Sequence, residues 1–195
     1  SKAYLHKWEE PCISGENGSG TIFFDGCSLG CVFCQNNTIA TGSIGKIVST
    51  ERLVQIFLKL QKEGACNINL VTATHFVPQV ITALKSAKEQ GLTIPIVYNC
   101  GGYEKVETLR MLEGLVDIYL PDLKYHSTNL STRYSNAPDY FEKASLAISE
   151  MVRQVGTPVF DETKNKQYDL NVISADVTYS DGTLSIPGGK TALFG

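Results

Sequence analysis

The chain has 195 residues, 43% of them hydrophobic and 19% charged, a balance that suits a globular protein able to bury a core. Its 17 basic and 20 acidic residues leave a net charge of −3, which excludes an electrostatic footprint for nucleic acid or an anionic membrane surface. No apolar run reaches membrane-span length and the opening SKAYLHKWEEPC holds no signal-peptide core, so the cytoplasm is the expected compartment. The absence of an initiator Met at Ser1 fits a trimmed start or a piece of a longer protein.

In chain order, the segment GENGSG lacks the Lys of a phosphate-binding loop and reads as a turn. TIFFDG is an apolar run of strand length ending on Gly26. STERLVQIFLKLQKEG places Leu53, Ile56, Phe57 and Leu60 at helical spacing, with Ser49 or Thr50 as cap and Gly64 as stop. NINLVT predicts a short strand, and VPQVITALKSAKEQG a helix with Pro78 in its first turn and Gly91 at its end. IPIVYN then reads as a strand, YEKVETLRMLEG as a helix closing at Gly114, and VDIYLPD as a further strand. Beyond a polar loop, APDYFEKASLAISEMVRQVG sets Ala144, Ala147, Ile148, Met151 and Val155 on one helical face.

Strand and helix thus alternate four times. This is the pattern of βαβ units around a parallel sheet, and the continuous apolar strands suit a sheet covered on both faces. From about Asp161 the helical period stops, and VTYSDGTLSI predicts a β-hairpin turning at Asp181-Gly182. The expected organisation is an α/β domain over residues 1–160 and a divergent β-rich tail over 161–195.

Three of the six cysteines, Cys27, Cys31 and Cys34, crowd into CSLGCVFC directly after the first apolar run. A structural zinc site normally closes with four ligands, and disulfides consume cysteines in pairs in oxidising compartments. Three thiolates on a short loop suit an iron–sulfur cluster, a group usually held by four cysteines, with one position left open. Open α/β sheets bind ligands at the carboxyl ends of their strands, where this loop lies. Cys12 could ligate metal, but its distance from Cys27 favours a structural thiol; Cys66 reads as core, and Cys100 reads as a radical-quenching thiol, a substrate contact or, most simply, a small buried residue.

The C-x3-C-x2-C spacing, with Phe33 before the last cysteine, resembles the signature of the radical SAM superfamily. Together with HKWEEPCISGENGSGTIFF, CVFCQN, NINLVTATHF, GLTIPIVYNCGGYE and GLVDIYLPDLKY, it is similar to a branch near the pyruvate formate-lyase activating enzymes. The resemblance covers roughly His6 to Val159. It implies a parallel (βα) partial barrel, a [4Fe–4S] cluster on Cys27, Cys31 and Cys34, and S-adenosylmethionine on the fourth iron. It also implies reductive cleavage of that cofactor to a 5′-deoxyadenosyl radical that abstracts hydrogen, either from a glycine of a glycyl radical enzyme or from another substrate that the sequence does not identify. An electron donor such as flavodoxin or ferredoxin is implied as a partner.

By the same resemblance Phe33 and Gln35 lie near the cofactor adenine, with Asn36 in the signature; for Phe33, plain core packing is the alternative. Asp122 and Lys124 in PDLKY match an Asp-x-Lys at the end of the fourth strand, the Lys facing the cofactor carboxylate; an ordinary strand-end ion pair is the alternative. Asn99 in YNCGG stands at a polar contact position. Where many members have Gly-Gly-Glu, this chain reads LVTATHF, so Thr72, Thr74 and His75 are the candidates to hydrogen-bond the cofactor amino group; His75 capping the next helix is the alternative.

The family barrel has about six βα units, whereas the resemblance stops after the fourth helix. The sequence therefore predicts a shortened barrel, its open edge paired with the tail hairpin. A non-catalytic iron–sulfur or zinc protein, or a decayed fragment, stands as the alternative to an active enzyme; no nucleophile elbow supports a hydrolase.

Overall fold

The computed structural model describes residues 3–7, 9, 11–42 and 44–156, with the strand segments 178–180, 183–186 and 190–192; of residues 11 and 12 only the backbone is described. Four strands, β2 (Ser19–Phe23), β3 (Ile68–Val71), β4 (Ile96–Cys100) and β5 (Ile118–Pro121), pair in parallel in chain order, and β1 (Ala3–His6) pairs antiparallel with β2. This is the predicted α/β architecture, with each crossover from β2 to β5 carrying helix.

The alternation of side chains fixes what each face of the sheet meets. Ile22, Ile68, Leu70, Ile96, Tyr98 and Tyr119 belong to the main core. With them, beyond the one-turn α2 (Asn37–Ala40), pack α3 (Thr50–Lys62), α4 (Val77–Glu89), α5 (Val106–Arg110) and α7 (Tyr140–Val155), through residues such as Phe57, Val80, Leu109 and Met151. On the opposite face a register-matched row, Thr21, Asn69, Val97 and Ile118, crosses the sheet. Ile13 of the short helix α1 (Pro11–Ser14) packs with Val97 and Ile118. Asn67 donates to the Ile13 carbonyl at 2.7 Å and accepts from Ser19 at 2.6 Å, which ties α1 to the start of β2.

The helix signals act as expected. Ser49 caps α3 by accepting from the Arg52 N–H at 3.2 Å, and Gly64 ends the turn beyond it at φ +89°. The predicted helix to Gly114 differs in form: after Arg110 the bonds tighten to i→i−3, from Met111 to Thr108 and from Leu112 to Leu109.

Besides the short helices α1 and α2 and the tail strand β8 (Lys190–Ala192), which were not expected from the sequence either, two unexpected elements bear on the site. One is β1, four residues at a sheet edge. The other is α6 (Thr128–Ser135), in the presumed polar loop; of its residues only Ser131 and Ser135 are buried, so no apolar period announces it. In the tail, β6 (Thr178–Ser180) and β7 (Thr183–Ile186) form the predicted hairpin, its turn residues lying outside the described set. β7 also pairs with β8, so the three strands form a sheet of their own, a correction to the expected pairing with the barrel edge. Among the described residues no helix is long and apolar enough to cross a membrane.

Candidate functional site

The loops leaving β2, β3, β4 and β5 meet at one end of the sheet around a cavity of about 620 Å³. Phe23, Val71 and Asn99, adjacent in register, line it from the strand ends. Cys27, Cys31 and Cys34 face it from the β2 loop, and Asp122 and Lys124 from the end of β5. All three cysteines are half-buried free thiols. Burial pushes the Cys27 thiol above its ordinary value; the neighbouring Cys31 and Cys34 add to that, against the Leu29 N–H, 3.4 Å from its sulfur, and Lys124.

The cysteine loop is held from far along the chain. Gly30 N–H donates to the Ser135 carbonyl at 3.1 Å and Val32 N–H to Tyr134 at 2.9 Å, so the loop lies along the C-terminal end of α6 on both sides of Cys31. The Ser135 hydroxyl is 2.8 Å from the Cys31 sulfur and 2.7 Å from the Tyr125 hydroxyl. Leu29, 6% exposed, packs with Ala137, Tyr140 and Ala144. A Cβ on Gly101 would stand 2.9 Å from the Leu29 Cδ1, so the bare backbone at the end of β4 makes room for the loop.

At the end of β5, Lys124 Nζ and Asp122 Oδ2 are 2.5 Å apart. Burial works against the Lys124 charge, but the Asp122 carboxylate and Cys31 outweigh it and hold its pKa above the ordinary value. Tyr140, fully buried at the start of α7, brings one hydroxyl to three backbone groups. It accepts from Lys124 N–H at 2.9 Å and faces the Gly101 and Asp122 carbonyls at 2.8 and 2.9 Å. Gly102, at φ +74°, runs so close to the Asp122 carbonyl that a Cβ would lie 2.2 Å from it.

Of the other sequence candidates, Gln35, Asn36, Asn99 and Thr72 line the cavity, as does Phe33. Phe33 is 55% exposed, edge-on to Tyr125 at 6.3 Å, which separates it from the core packing weighed as its alternative. Thr72 holds φ +58°, an uncommon conformation for a β-branched residue, with its N–H bonded to the Asn99 carbonyl at 2.9 Å.

Thr74 and His75 do not line the cavity. Thr74 donates instead to Glu104 at 2.6 Å, and His75 is exposed in a turn whose following helix has no side-chain cap. Cys100 is buried but, unlike these two, lines the cavity, its pKa raised well above the ordinary value by burial and by Glu104, and Cys66 lies 3.4 Å from the Ser14 carbonyl. The Cys12 side chain is outside the described residues.

Sequence reasoning missed Tyr4, His6 and Glu9, which add a wall to the cavity from β1 and the turn after it. It also missed Ser135 and Tyr140. The alternation in AYLH is the one local signal for the first group; the second is brought in by tertiary contact alone.

The family model of the radical SAM superfamily matches residues 21–164. The chain belongs to the radical SAM superfamily. An uncharacterized protein of Methanocaldococcus jannaschii is 32% identical over 149 residues, which make up 73% of this chain and 43% of that protein. The chain therefore spans less than half the length of that relative.

Radical SAM membership implies a [4Fe–4S] cluster and S-adenosylmethionine, and the donor set can be tested against them. Among the described residues no three His, Cys, Asp or Glu side chains converge on a single ion, as thiolates about 2.3 Å from one zinc would. Three thiols of one loop that line a single cavity suit a cluster, in which each sulfur binds a different iron. The residues present fit the group, and binding it would displace the thiol protons.

Proposed function

We propose that this chain holds a [4Fe–4S] cluster on Cys27, Cys31 and Cys34 and binds S-adenosylmethionine in the cavity beside it. When bound, the reduced cluster would supply one electron to the sulfonium of S-adenosylmethionine, giving methionine and a 5′-deoxyadenosyl radical able to take a hydrogen atom from substrate. The observation that carries the reading is the convergence of the three thiols with Asn99, Asp122 and Lys124 on one cavity at the carboxyl end of a parallel sheet.

The chain's own residues divide the work. The Lys124 ammonium, oriented by Asp122, offers charge-assisted bonds to a carboxylate. Asn99, Gln35, Asn36 and Thr72 supply amide and hydroxyl groups for the polar parts of the cofactor, and Phe33 an aromatic surface for the adenine. The strand-end walls, closed on one side by β1, shield the reacting atoms from water.

The finer reading, an activating enzyme that abstracts hydrogen from a glycine of a glycyl radical enzyme and takes electrons from a flavodoxin or ferredoxin, draws support from the sequence motifs. Val32 and Phe33, apolar residues of the cysteine loop exposed at 73% and 55%, add to it, since such surfaces favour protein partners.

The test is anaerobic reconstitution, then addition of dithionite and S-adenosylmethionine, with chromatography for 5′-deoxyadenosine and methionine. Both products are expected, in equal amounts when no substrate is present, and neither from the Cys31→Ala protein. Four irons per chain without cleavage would leave a binding module; no iron would return the thiols to another role.

A further inference from the structure

We infer that Ser135, backed by Tyr125, is a tuning residue: its hydroxyl donates to the Cys31 sulfur and raises the reduction potential of the centre that Cys31 holds. The inference rests on the proposed cluster assignment and turns on Ser135, which no motif of the sequence pointed to.

Ser135 is 1% exposed, with its Oγ 2.8 Å from the Cys31 sulfur and 2.7 Å from the Tyr125 hydroxyl. Each hydroxyl carries one proton. A free thiol can donate to a serine, but a metal-bound thiolate has no proton to give, so ligation fixes the direction: Ser135 donates to sulfur. Its lone pairs then remain for Tyr125, which donates to Ser135, and the two O–H groups point the same way. Hydrogen bonds that polarise one another in sequence are strengthened, above all in a buried site.

The consequence is electrostatic. Reduction adds one negative charge to a cluster and its sulfurs, and a donor aimed at a sulfur stabilises the more negative state. Hydrogen bonds to the sulfurs are among the levers that set iron–sulfur potentials, and groups behind the metal ligands tune such sites generally.

The arrangement is also separable from the fold. Backbone pairing of Gly30 with Ser135 and of Val32 with Tyr134 fixes the loop on both sides of Cys31. Neither bond involves the hydroxyl, so its removal leaves the sulfur in place.

The experiment is an anaerobic potentiometric titration, followed by electron paramagnetic resonance, of the reconstituted full chain and its Ser135→Ala, Ser135→Thr and Tyr125→Phe variants. Iron and sulfide content are measured on each. Expected are equal cluster loading and a more negative midpoint for Ser135→Ala. Poised at the parental midpoint, its reduced-to-oxidised ratio falls by roughly three- to tenfold, tenfold being about 59 mV for one electron. Ser135→Thr, which keeps the hydroxyl, holds the parental midpoint, and Tyr125→Phe shifts it the same way by less.

A fully loaded Ser135→Ala protein with an unmoved midpoint overturns the inference. So does a Ser135→Thr shift as large as that of alanine, which would report packing. If Ser135→Ala fails to load, Tyr125→Phe decides, and an unmoved midpoint there overturns it. Failure of the parental chain to bind iron overturns the ligand assignment and the inference together, and iron content separates that case from the others.

Discussion

Lys124 shows how much one side chain carries at this site. It is three-quarters buried at the end of β5, paired with Asp122 at 2.5 Å, and faces the cavity that holds the cysteines. Truncating it removes a charge-assisted contact of about 1.5–3 kcal/mol, discounted here because Asp122 is 57% exposed. Lys124→Ala is expected to keep full iron content while S-adenosylmethionine binds roughly tenfold more weakly, read by equilibrium dialysis; unchanged affinity would remove Lys124 from the cofactor site. The cysteines and Lys124 were legible because their chemistry is written in short spacings, C-x3-C-x2-C and D-x-K. Thr74 looked equally polar and equally well placed in LVTATHF, yet the turn directs its hydroxyl to Glu104 at 2.6 Å. A strand-end motif does not by itself say which way a side chain faces once the chain leaves the strand.

At the scale of elements, the ends of β4 and β5 are joined by the Tyr140 hydroxyl at the start of α7. Tyr140→Phe leaves the Lys124 N–H and two carbonyls without that partner in a buried setting, which costs about 1–3 kcal/mol. Urea unfolding is expected to show a loss in that range, with the m-value unchanged; a loss near zero would show that these backbone groups find other partners. The helices α3, α4 and α7 were legible from their apolar period and their glycine or proline punctuation. The strands were legible from apolar runs, except β1, whose four residues at an edge carry too little pattern. Helix α6 was hidden for a different reason: its buried positions are Ser131 and Ser135, and a helix that packs through small hydroxyl side chains has no hydrophobic signal to read.

For the molecule as a whole, stability has a pH term located at Glu104. This carboxyl is 4% exposed and accepts hydrogen bonds from Thr74 at 2.6 Å and Tyr98 at 3.3 Å. Burial raises its pKa from 4.5 to about 7, with the two hydrogen bonds pulling the other way. The folded chain therefore keeps the proton that the unfolded chain gives up near 4.5. The associated stability is full below that pH and is lost as pH rises toward 7, about 3 kcal/mol in order of magnitude. Glu104→Gln, which mimics the protonated acid, is expected to gain on the parental protein between pH 5 and pH 8 in urea midpoints; parallel pH profiles would show that Glu104 does not titrate in this range.

The parallel order of the sheet was legible because regular βα alternation admits few topologies. The grip of α6 on the cysteine loop was not, since nothing local predicts a contact between Ser135 and Cys31 across 104 residues. That separation also sets a timetable for synthesis. At about 5–20 residues per second, some 5–20 s pass between translation of Cys31 and translation of the serine that clamps its loop. During that interval the nascent chain carries three unclamped thiols, open to oxidation or to a stray metal ion. The loop reaches its clamped form only after α6 has left the ribosome, so any group seated in that form is acquired after that point.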